Sequence, residues 1–273
     1  LSFCHPRIMS SSPIMGKGAL GRRRGDRYTD FMSIDSLHQR LQDALSLHRA
    51  GDLAAAEAGY LAVLNDEPDH VDALYLLSTL RLQQGHAEEA LVLSERVIAH
   101  VPRVADAHAN KGTALQTLAQ FDAAAIAFRD AIRLLPDAAH LHFNLGNALR
   151  AAGDKQGAVK AYRDAIALKG DLVPALSNLG ATLSELGLFD EAATVCTEAC
   201  RIDPGFADAH YNRGNAHRES GRYADAVAAF EAALAVQPEH ANALCNLGLT
   251  LMRDSNLQPA IDQLADAIRV APD

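Results

Sequence analysis

The feature that most constrains this chain is a self-similarity with a period of 34 residues. Cutting the sequence every 34 residues from Leu37 aligns seven units without an insertion or deletion, and the seventh lacks only its last residue. A period of this length predicts one small supersecondary unit repeated along the chain, with stability that comes from stacking of neighbours. The units begin at Leu37, Val71, Ala105, Ala139, Val173, Ala207 and Ala241.

Four positions of the unit show what is repeated. Positions 8 and 20 hold small residues, which let two helices approach closely, whereas position 24 is bulky in most units. Proline at position 32 ends the second helix and fixes the turn into the next unit. Position 20 holds Ala56, Ala90, Ala124, Ala158, Ala192, Ala226 and Ala260, and position 8 holds Ala44, Ser78, Gly112, Gly146, Gly180, Gly214 and Gly248. Position 32 holds Pro68, Pro102, Pro136, Pro204, Pro238 and Pro272, with Gly170 in the fourth unit, where we expect a looser joint.

These positions closely resemble the tetratricopeptide repeat (TPR) pattern over residues 37–273. The resemblance implies an all-α fold, a right-handed α-solenoid of seven tandem 34-residue helix–turn–helix repeats. It also implies a protein that holds other polypeptides in a concave groove. The sequence departs from the pattern at position 4, which is often Trp in the family and is Leu or His in most units here.

The first residues differ in composition from the repeats. Residues 1–36 carry six Arg or Lys against three Asp, a balance of +3, and the total net charge is −9, so the remaining residues carry about −12. We predict a disordered basic arm at 1–32 and a solenoid at 33–273, with Met32 as a plausible natural start. No apolar run in the arm has the length of a signal-peptide core or a membrane helix.

Charge and cysteine content narrow the partners and the compartment. A net charge of −9 argues against general nucleic-acid binding, which needs clustered positive charge. Cys4 lies in the arm, Cys196 and Cys200 lie one turn apart, and Cys245 stands alone. This distribution is not a disulfide framework and favours a reducing compartment, most simply the cytoplasm, without membrane attachment.

The histidines and cysteines of the repeats are the candidates for metal binding or catalysis. His108, His142 and His210 all occupy position 4 and could form a metal ladder, but this position packs between helices, and no H-x-x-x-H pair accompanies them. Cys196 and Cys200 lie at packing positions and are expected to be small core hydrophobes. The sequence therefore predicts no metal, no cofactor and no catalytic residue in this chain.

A row of asparagines is the strongest candidate for a binding site. Position 6 points about 150° away from the packed face of the first helix, and the resemblance places that stripe on the concave groove. Position 13 on the same stripe varies freely, which suggests that something holds position 6. We predict that these amides bind the backbone of an extended peptide; the alternative is that they hydrogen-bond to each other between repeats. The row comprises Asn110, Asn144, Asn178, Asn212 and Asn246, flanked by Asn147 and Asn215 at position 9 and by Arg150 and Arg218 at position 12.

The row also suggests a narrower resemblance, to the asparagine ladder in the TPR superhelix of O-linked N-acetylglucosamine transferases. The stretch Asn144–Leu149 is similar to repeats of that group, whereas Gln42 and Leu76 depart from it at position 6. The first hypothesis is a non-enzymatic protein–protein interaction scaffold. The alternative is the substrate-recruiting region of a larger glycosyltransferase whose catalytic domain is absent from this chain.

Two further expectations concern partners. Position 5 carries no Lys or Arg in any unit, so the carboxylate clamp that binds chaperone tails is not expected. No solvating helix follows the last unit, so we expect that a further domain or a partner covers that end. A third possibility is self-association, in which the exposed end of the stack binds a second copy.

Overall fold

The computed structural model describes the backbone of residues 26–253 and 257–271, and the side chains of residues 36–253 and 258–271. Over these ranges the chain forms fourteen α-helices and no strand. It divides into two compact units, residues 1–59 and residues 60–273. Residues 1–25, including Cys4, and Pro272 lie outside the described residues.

The helices alternate between a first and a second helix of each repeat. The first helices are α1 (Asp26–Ala50), α3 (Val71–Gln83), α5 (Ala105–Thr117), α7 (Ala139–Ala151), α9 (Val173–Glu185), α11 (Ala207–Glu219) and α13 (Ala241–Arg253). The second helices are α2 (Leu53–Asp66), α4 (Ala87–His100), α6 (Phe121–Leu134), α8 (Lys155–Leu168), α10 (Phe189–Ile202), α12 (Tyr223–Val236) and α14 (Leu257–Val270). From α2 onwards, equivalent helices begin 34 residues apart, so the all-α solenoid predicted from the period is confirmed.

The unit of residues 1–59 contains α1 and the beginning of α2. Leu37, Leu41, Ala44 and Ala56 are buried in it. A Cβ added to Gly59 would lie 2.5 Å from the Cβ of Ala44, so the two helices touch at these small residues. Helix α1 begins at Asp26 and therefore includes the last seven residues of the predicted arm. The boundary between arm and solenoid at residue 32 stays a prediction.

Within residues 60–273, the small residue at position 8 faces position 24 of the same repeat. A Cβ on Gly146 would lie 2.5 Å from the ring of Tyr162, and one on Gly214 would lie 2.5 Å from the ring of Phe230. Both rings are fully buried. Where position 24 is aromatic, a side chain at position 8 would clash with the ring and push the two helices of the repeat apart, which explains the pairing of small and bulky positions.

Cysteine takes the place of the aromatic residue in the fifth repeat. Cys196 occupies position 24 and faces Gly180, and Cys200 is buried one turn further along α10. Burial raises the pKa of the Cys196 thiol to about 12, so it stays a neutral thiol at ordinary pH. The prediction that these cysteines act as small core hydrophobes agrees with their burial.

The turn between the two helices of a repeat requires a left-handed residue at position 15. Five repeats place glycine there, with φ between 78° and 89°. The third repeat places Ala119 there instead, at φ 56°, a conformation that is unfavourable for a residue with a Cβ. The glycines are Gly51, Gly85, Gly153, Gly187 and Gly221.

The two sets of helices meet differently at the joints between repeats. The backbone of each of α3, α5, α7, α9 and α11 lies close to that of the next first helix, whereas among the described residues no two second helices bring their backbones so close. Second helices reach each other only through long side chains, as Arg163 of α8 reaches Glu191 of α10. The repeats of residues 60–273 are therefore closer together on the side of the first helices. This side is the inner face of the stack, and position 6 lies on it.

Candidate peptide-binding site

All five asparagines of the predicted row are half-buried, one on each of α5, α7, α9, α11 and α13. The residue two positions after each asparagine is a buried glycine, as Gly146 is after Asn144. The amides consequently sit at the boundary between the packed joint and the inner face. This is a position from which a side chain can reach both the neighbouring repeat and solvent.

Position 9 of the preceding repeat is the usual partner of these amides. Asn178 donates from Nδ2 to Oδ1 of Asn147 at 2.9 Å, and Asn246 donates to Oδ1 of Asn215 at 2.8 Å. Asn110 donates to Oγ1 of Thr79, also a position 9 residue, at 2.9 Å. The flanking asparagines predicted at position 9 thus hold the row in place across the joint.

The sixth repeat uses a different acceptor. Ala181 occupies position 9 of α9 and has no side-chain acceptor, so Asn212 donates to Oγ of Ser177 at 2.9 Å instead. Ser177 is buried at position 5, where α7 and α11 carry the bulkier Phe143 and Tyr211. With this small residue, α9 packs more extensively against α11 than any other two first helices pack in the described chain.

Asn144 differs from the other four members of the row. Its side chain makes no hydrogen bond to any described residue, and neither of its polar atoms is among the buried unsatisfied atoms. Thr113, at position 9 of the preceding repeat, uses its hydroxyl to donate to the carbonyl of Ala109 at 3.0 Å. Asn144 therefore presents a donor and an acceptor that are open to solvent.

The side-chain oxygens of the row are open as well. In Asn110, Asn178, Asn212 and Asn246 the Nδ2 group is used, but Oδ1 accepts no hydrogen bond from the described residues and is not buried. The inter-repeat hydrogen bonds therefore fix the orientation of each amide and leave its acceptor available. Both sequence-based hypotheses describe part of this arrangement, since the bonds between repeats exist and the acceptors remain unused.

Asn147 is the most constrained of the flanking residues. Its Oδ1 accepts from Asn178 and also from the hydroxyl of Tyr162 at 2.7 Å. Burial raises the pKa of Tyr162 to about 12, so this hydroxyl keeps its proton and remains a donor. The pair anchors the row between the fourth and fifth repeats to the core.

The two arginines flanking the row are already paired. Arg150 donates from Nε to Oε1 of Glu185 in the next repeat at 3.1 Å, and Lys155 lies 3.2 Å from Oε2 of the same carboxylate. Burial opposes ionisation of Glu185, but hydrogen bonds and charges from both cations outweigh it and hold the pKa of Glu185 below its usual value. Arg218 pairs with Glu219 at 2.8 Å. The positive charge expected from the arginines is therefore largely compensated.

The histidines at position 4 connect neighbouring repeats. His108, His142 and His210 bring Nε2 to the carbonyl oxygen of the proline six residues before them, at 2.9, 2.8 and 3.0 Å. Each therefore joins a first helix to the turn that precedes it, a role that sequence analysis missed although His at position 4 recurs with Pro at position 32. Within the described residues no group of His, Cys, Asp and Glu has the arrangement of a metal site.

Ser78, Thr79 and Ser177 were also missed as partners of the row. They vary in type and lie at three different positions of the unit, so no single column of the repeat marks them. They share only a side-chain hydroxyl on the helix that precedes the asparagine. An acceptor search at positions 5, 8 and 9 of the preceding unit would have found them.

Every family model that matches the repeats describes the same kind of repeat. Two models described as tetratricopeptide repeat match the chain, one over residues 41–100, 109–173 and 211–273 and the other over residues 173–206. Together the matched segments span most of the chain.

Solved structures show the same fold at low sequence identity. A tetratricopeptide repeat protein from Parabacteroides merdae superposes with a TM-score of 0.69 at 17% identity, covering 87% of this chain and 94% of its own. YrrB, described as a TPR protein with an unusual peptide-binding site, gives 0.54 at 22% identity, covering 66% and 93%. MamA from Desulfovibrio magneticus RS-1 gives 0.57 at 20% identity, covering 62% and 95%. At these identities the similarity shows the fold.

A search for membrane-spanning helices gave no candidate in the described part of the chain, since none of its helices combines the required length with sufficient apolarity.

Proposed function

Because this chain belongs to the tetratricopeptide repeat family, we propose that it is a scaffold that binds extended polypeptide segments on its inner face. The asparagine row supplies one amide per repeat, and hydrogen bonds between repeats orient four of the five. The peptide-binding site of the structurally similar YrrB supports this class of function. A net charge of −9 and the pairing of Arg150 and Arg218 with carboxylates favour protein partners over nucleic acid. The free cysteines favour a cytoplasmic location.

The observation that carries the proposal is the state of Asn144. An amide that bonds to nothing in the fold costs helix stability, because Asn is a poorer helix former than Ala by up to about 0.7 kcal/mol. Asn144 nevertheless keeps the residue type of the row without sharing its inter-repeat bond. Contact with a peptide backbone gives it a role that the folded chain alone does not.

The experiment separates binding from stability by comparing two single substitutions. A 12-residue peptide selected from a random phage-displayed library on the wild-type protein serves as the probe. In Asn144→Ala we expect the affinity for this peptide to fall about 2- to 12-fold, the equivalent of one net hydrogen bond. The free energy of unfolding should stay the same or rise slightly, since Asn144 has no partner in the fold.

Asn178→Ala is the matched control, because it removes the same amide from a residue that is bonded to Asn147. It should lower the free energy of unfolding by about 0.5–1.5 kcal/mol, and it should also lower the affinity for the peptide. If Asn144→Ala binds the peptide as tightly as wild type, the row does not bind peptides. If both variants are destabilised equally, the row serves only to join repeats.

A second candidate function is that of a substrate-recruiting region of a larger glycosyltransferase. The observation that favours it is the row itself, one asparagine in each of five consecutive repeats, together with the stretch Asn144–Leu149. In that case the same groove would present protein substrates to a catalytic domain encoded in the same gene. Sequencing the gene beyond the codon for Asp273 decides between the two, because an α/β glycosyltransferase domain there would support the second candidate.

A further inference from the structure

A groove of about 650 Å³ lies on the outer side of the repeats, between the second helices α6 and α8. We call it the α6–α8 groove. Leu145 and Leu149 of α7 form its floor and are almost completely buried, while Ile126 on its rim is 58% exposed. The groove thus combines an apolar floor with an apolar side chain that projects into solvent, on the face opposite to the asparagine row.

Positive side chains surround this apolar floor. Arg129, Arg133 and Lys160 line the groove, and all three are exposed. Asp130 pairs with Arg133, and the second carboxylate, Asp164, lies 4.0 Å from Nδ1 of His142. Neither Arg129 nor Lys160 forms an ion pair with any described residue, so the groove has a surplus of positive charge.

The next joint along the chain, between α8 and α10, contains an ion pair that the α6–α8 groove lacks. There, Arg163 of α8 forms an ion pair with Glu191 of α10, across the two second helices. One repeat earlier, the equivalent positions are Arg129 and Gly157. The cation is present in both joints, but the fourth repeat has no side chain where the fifth has a carboxylate.

The preceding joint is also occupied by an internal ion pair. Lys111, at position 7 of α5, lies 2.8 Å from Glu95 of α4. The equivalent of Lys111 on the floor of the α6–α8 groove is Leu145. Ion pairs of the chain itself therefore bridge the joints on both sides, and the joint between them is left with an apolar floor and an unpaired arginine.

We propose that the α6–α8 groove binds a segment of a partner protein that carries a Glu or Asp next to an apolar residue. The carboxylate takes the place that Glu191 has in the following joint and pairs with Arg129, close to Lys160. The neighbouring apolar residue covers Leu145, Leu149 and Ile126. This outer site is independent of the inner asparagine row and gives the scaffold a second surface for a different partner.

A substitution that closes the groove follows from the comparison of joints. Gly157→Glu places a carboxylate opposite Arg129, as Glu191 stands opposite Arg163. The new Cβ must displace the side chain of Asp154, which caps α8 by accepting from the amide of Gly157 at 2.8 Å. The first repeat combines the same cap with a Cβ, since Asp52 accepts from the amide of Ala55 at 3.1 Å, so the fold tolerates this arrangement.

The test begins with a subtractive selection. A random 12-residue phage-displayed library is first depleted on the Gly157→Glu protein and then selected on the wild-type protein. We expect the recovered peptides to share an acidic residue within a few positions of Leu, Ile or Phe. One of them, synthesised with a fluorescein label, is then titrated by fluorescence anisotropy against each variant.

We expect Arg129→Ala and Gly157→Glu each to lower the affinity for this peptide by about ten-fold or more, which is the effect of losing a charge-assisted hydrogen bond. Two matched controls should bind it as wild type does: Gly157→Ala, which leaves the groove open, and Arg163→Ala, which removes the equivalent arginine of the closed joint. The affinity should also decrease as salt is raised.

Three results would overturn the proposal. The first is a selection without acidic–apolar sequences. The second is unchanged affinity in both Arg129→Ala and Gly157→Glu. The third is a wild-type protein that forms dimers in sedimentation equilibrium and an Arg129→Ala protein that does not, because the occupant would then be a second copy. Asn144→Ala separates the two sites. It should leave the affinity for this peptide unchanged, whether or not the inner row binds a peptide of its own.

Discussion

A single backbone angle distinguishes the third repeat from its neighbours. Position 15 closes the turn between the two helices with a left-handed residue, and glycine adopts that conformation without the clash that a Cβ causes. Ala119 accepts it because the helices on either side are fixed by their own packing, as Ala114 and Ala124 are fully buried. The turn therefore stores a small strain at one residue.

We predict that Ala119→Gly stabilises the protein by about 0.5–1 kcal/mol, since relief of the left-handed penalty exceeds the entropy that glycine adds to the unfolded chain. Ala152→Gly is the control. It removes a methyl group from position 14 of the next repeat, where the residue has φ −73°, and should destabilise. Urea unfolding of both variants measures the difference. Equal effects would mean that the conformation at residue 119 carries no strain.

The helices and their faces were predictable because each depends on residues within one unit. Small residues at position 8 and bulky ones at position 24 identify the packed pair, and Gly146 against Tyr162 confirms it. The partners of the asparagine row were not predictable in the same way. Asn212 could bond to Ser177 or to a residue at position 9, depending on how closely α9 and α11 approach each other. Ala181 at position 9 has no side-chain acceptor, but that alone does not identify Ser177 as the partner, because the distance between the two helices must also be known.

The turn between α8 and α9 has the geometry of the other turns between repeats although it lacks their proline. Gly170 replaces the proline of the other repeats, yet α8 and α9 have the same bounds as their equivalents. Lys169, which precedes it, has φ −143° and ψ 93°. Residues that precede a proline elsewhere have closely similar angles, as in Val101 (−136°, 86°) and Asp203 (−132°, 94°). The backbone before residue 170 already has the conformation that a proline requires.

We predict that Gly170→Pro stabilises the protein by about 0.4–1 kcal/mol, because proline restricts the unfolded chain and costs nothing in this turn. A Cβ at residue 170 meets no atom within 4 Å, so the substitution has room. Gly170→Ala is the control that separates loss of glycine from gain of the ring, and it should have the smaller effect. A lower unfolding midpoint for Gly170→Pro than for wild type would show that this joint needs the freedom of glycine.

At the scale of the stack formed by residues 60–273, each described repeat contacts only the repeats beside it. First helices meet the next first helix, second helices meet the first helix that follows, and contacts between more distant elements are absent from the described chain. The joints are also interchangeable in part, since His108 and His142 make the same bond to a proline carbonyl in successive repeats. Stability should then be close to a sum of repeat and joint contributions.

This modularity leads to a prediction about removing one repeat. Deletion of residues 105–138 joins Val104 to Ala139 in phase, so that His142 can bond to the carbonyl of Pro102, as His108 does in the intact chain. We expect a folded protein with an unchanged helical signal per residue and a denaturant m-value lower by about one-seventh, in proportion to the surface lost. Deletion of residues 105–121 is the control, because it leaves α4 followed directly by α6 and breaks the alternation of helices. If the in-phase deletion were as disruptive as this control, the repeats would depend on contacts beyond their neighbours.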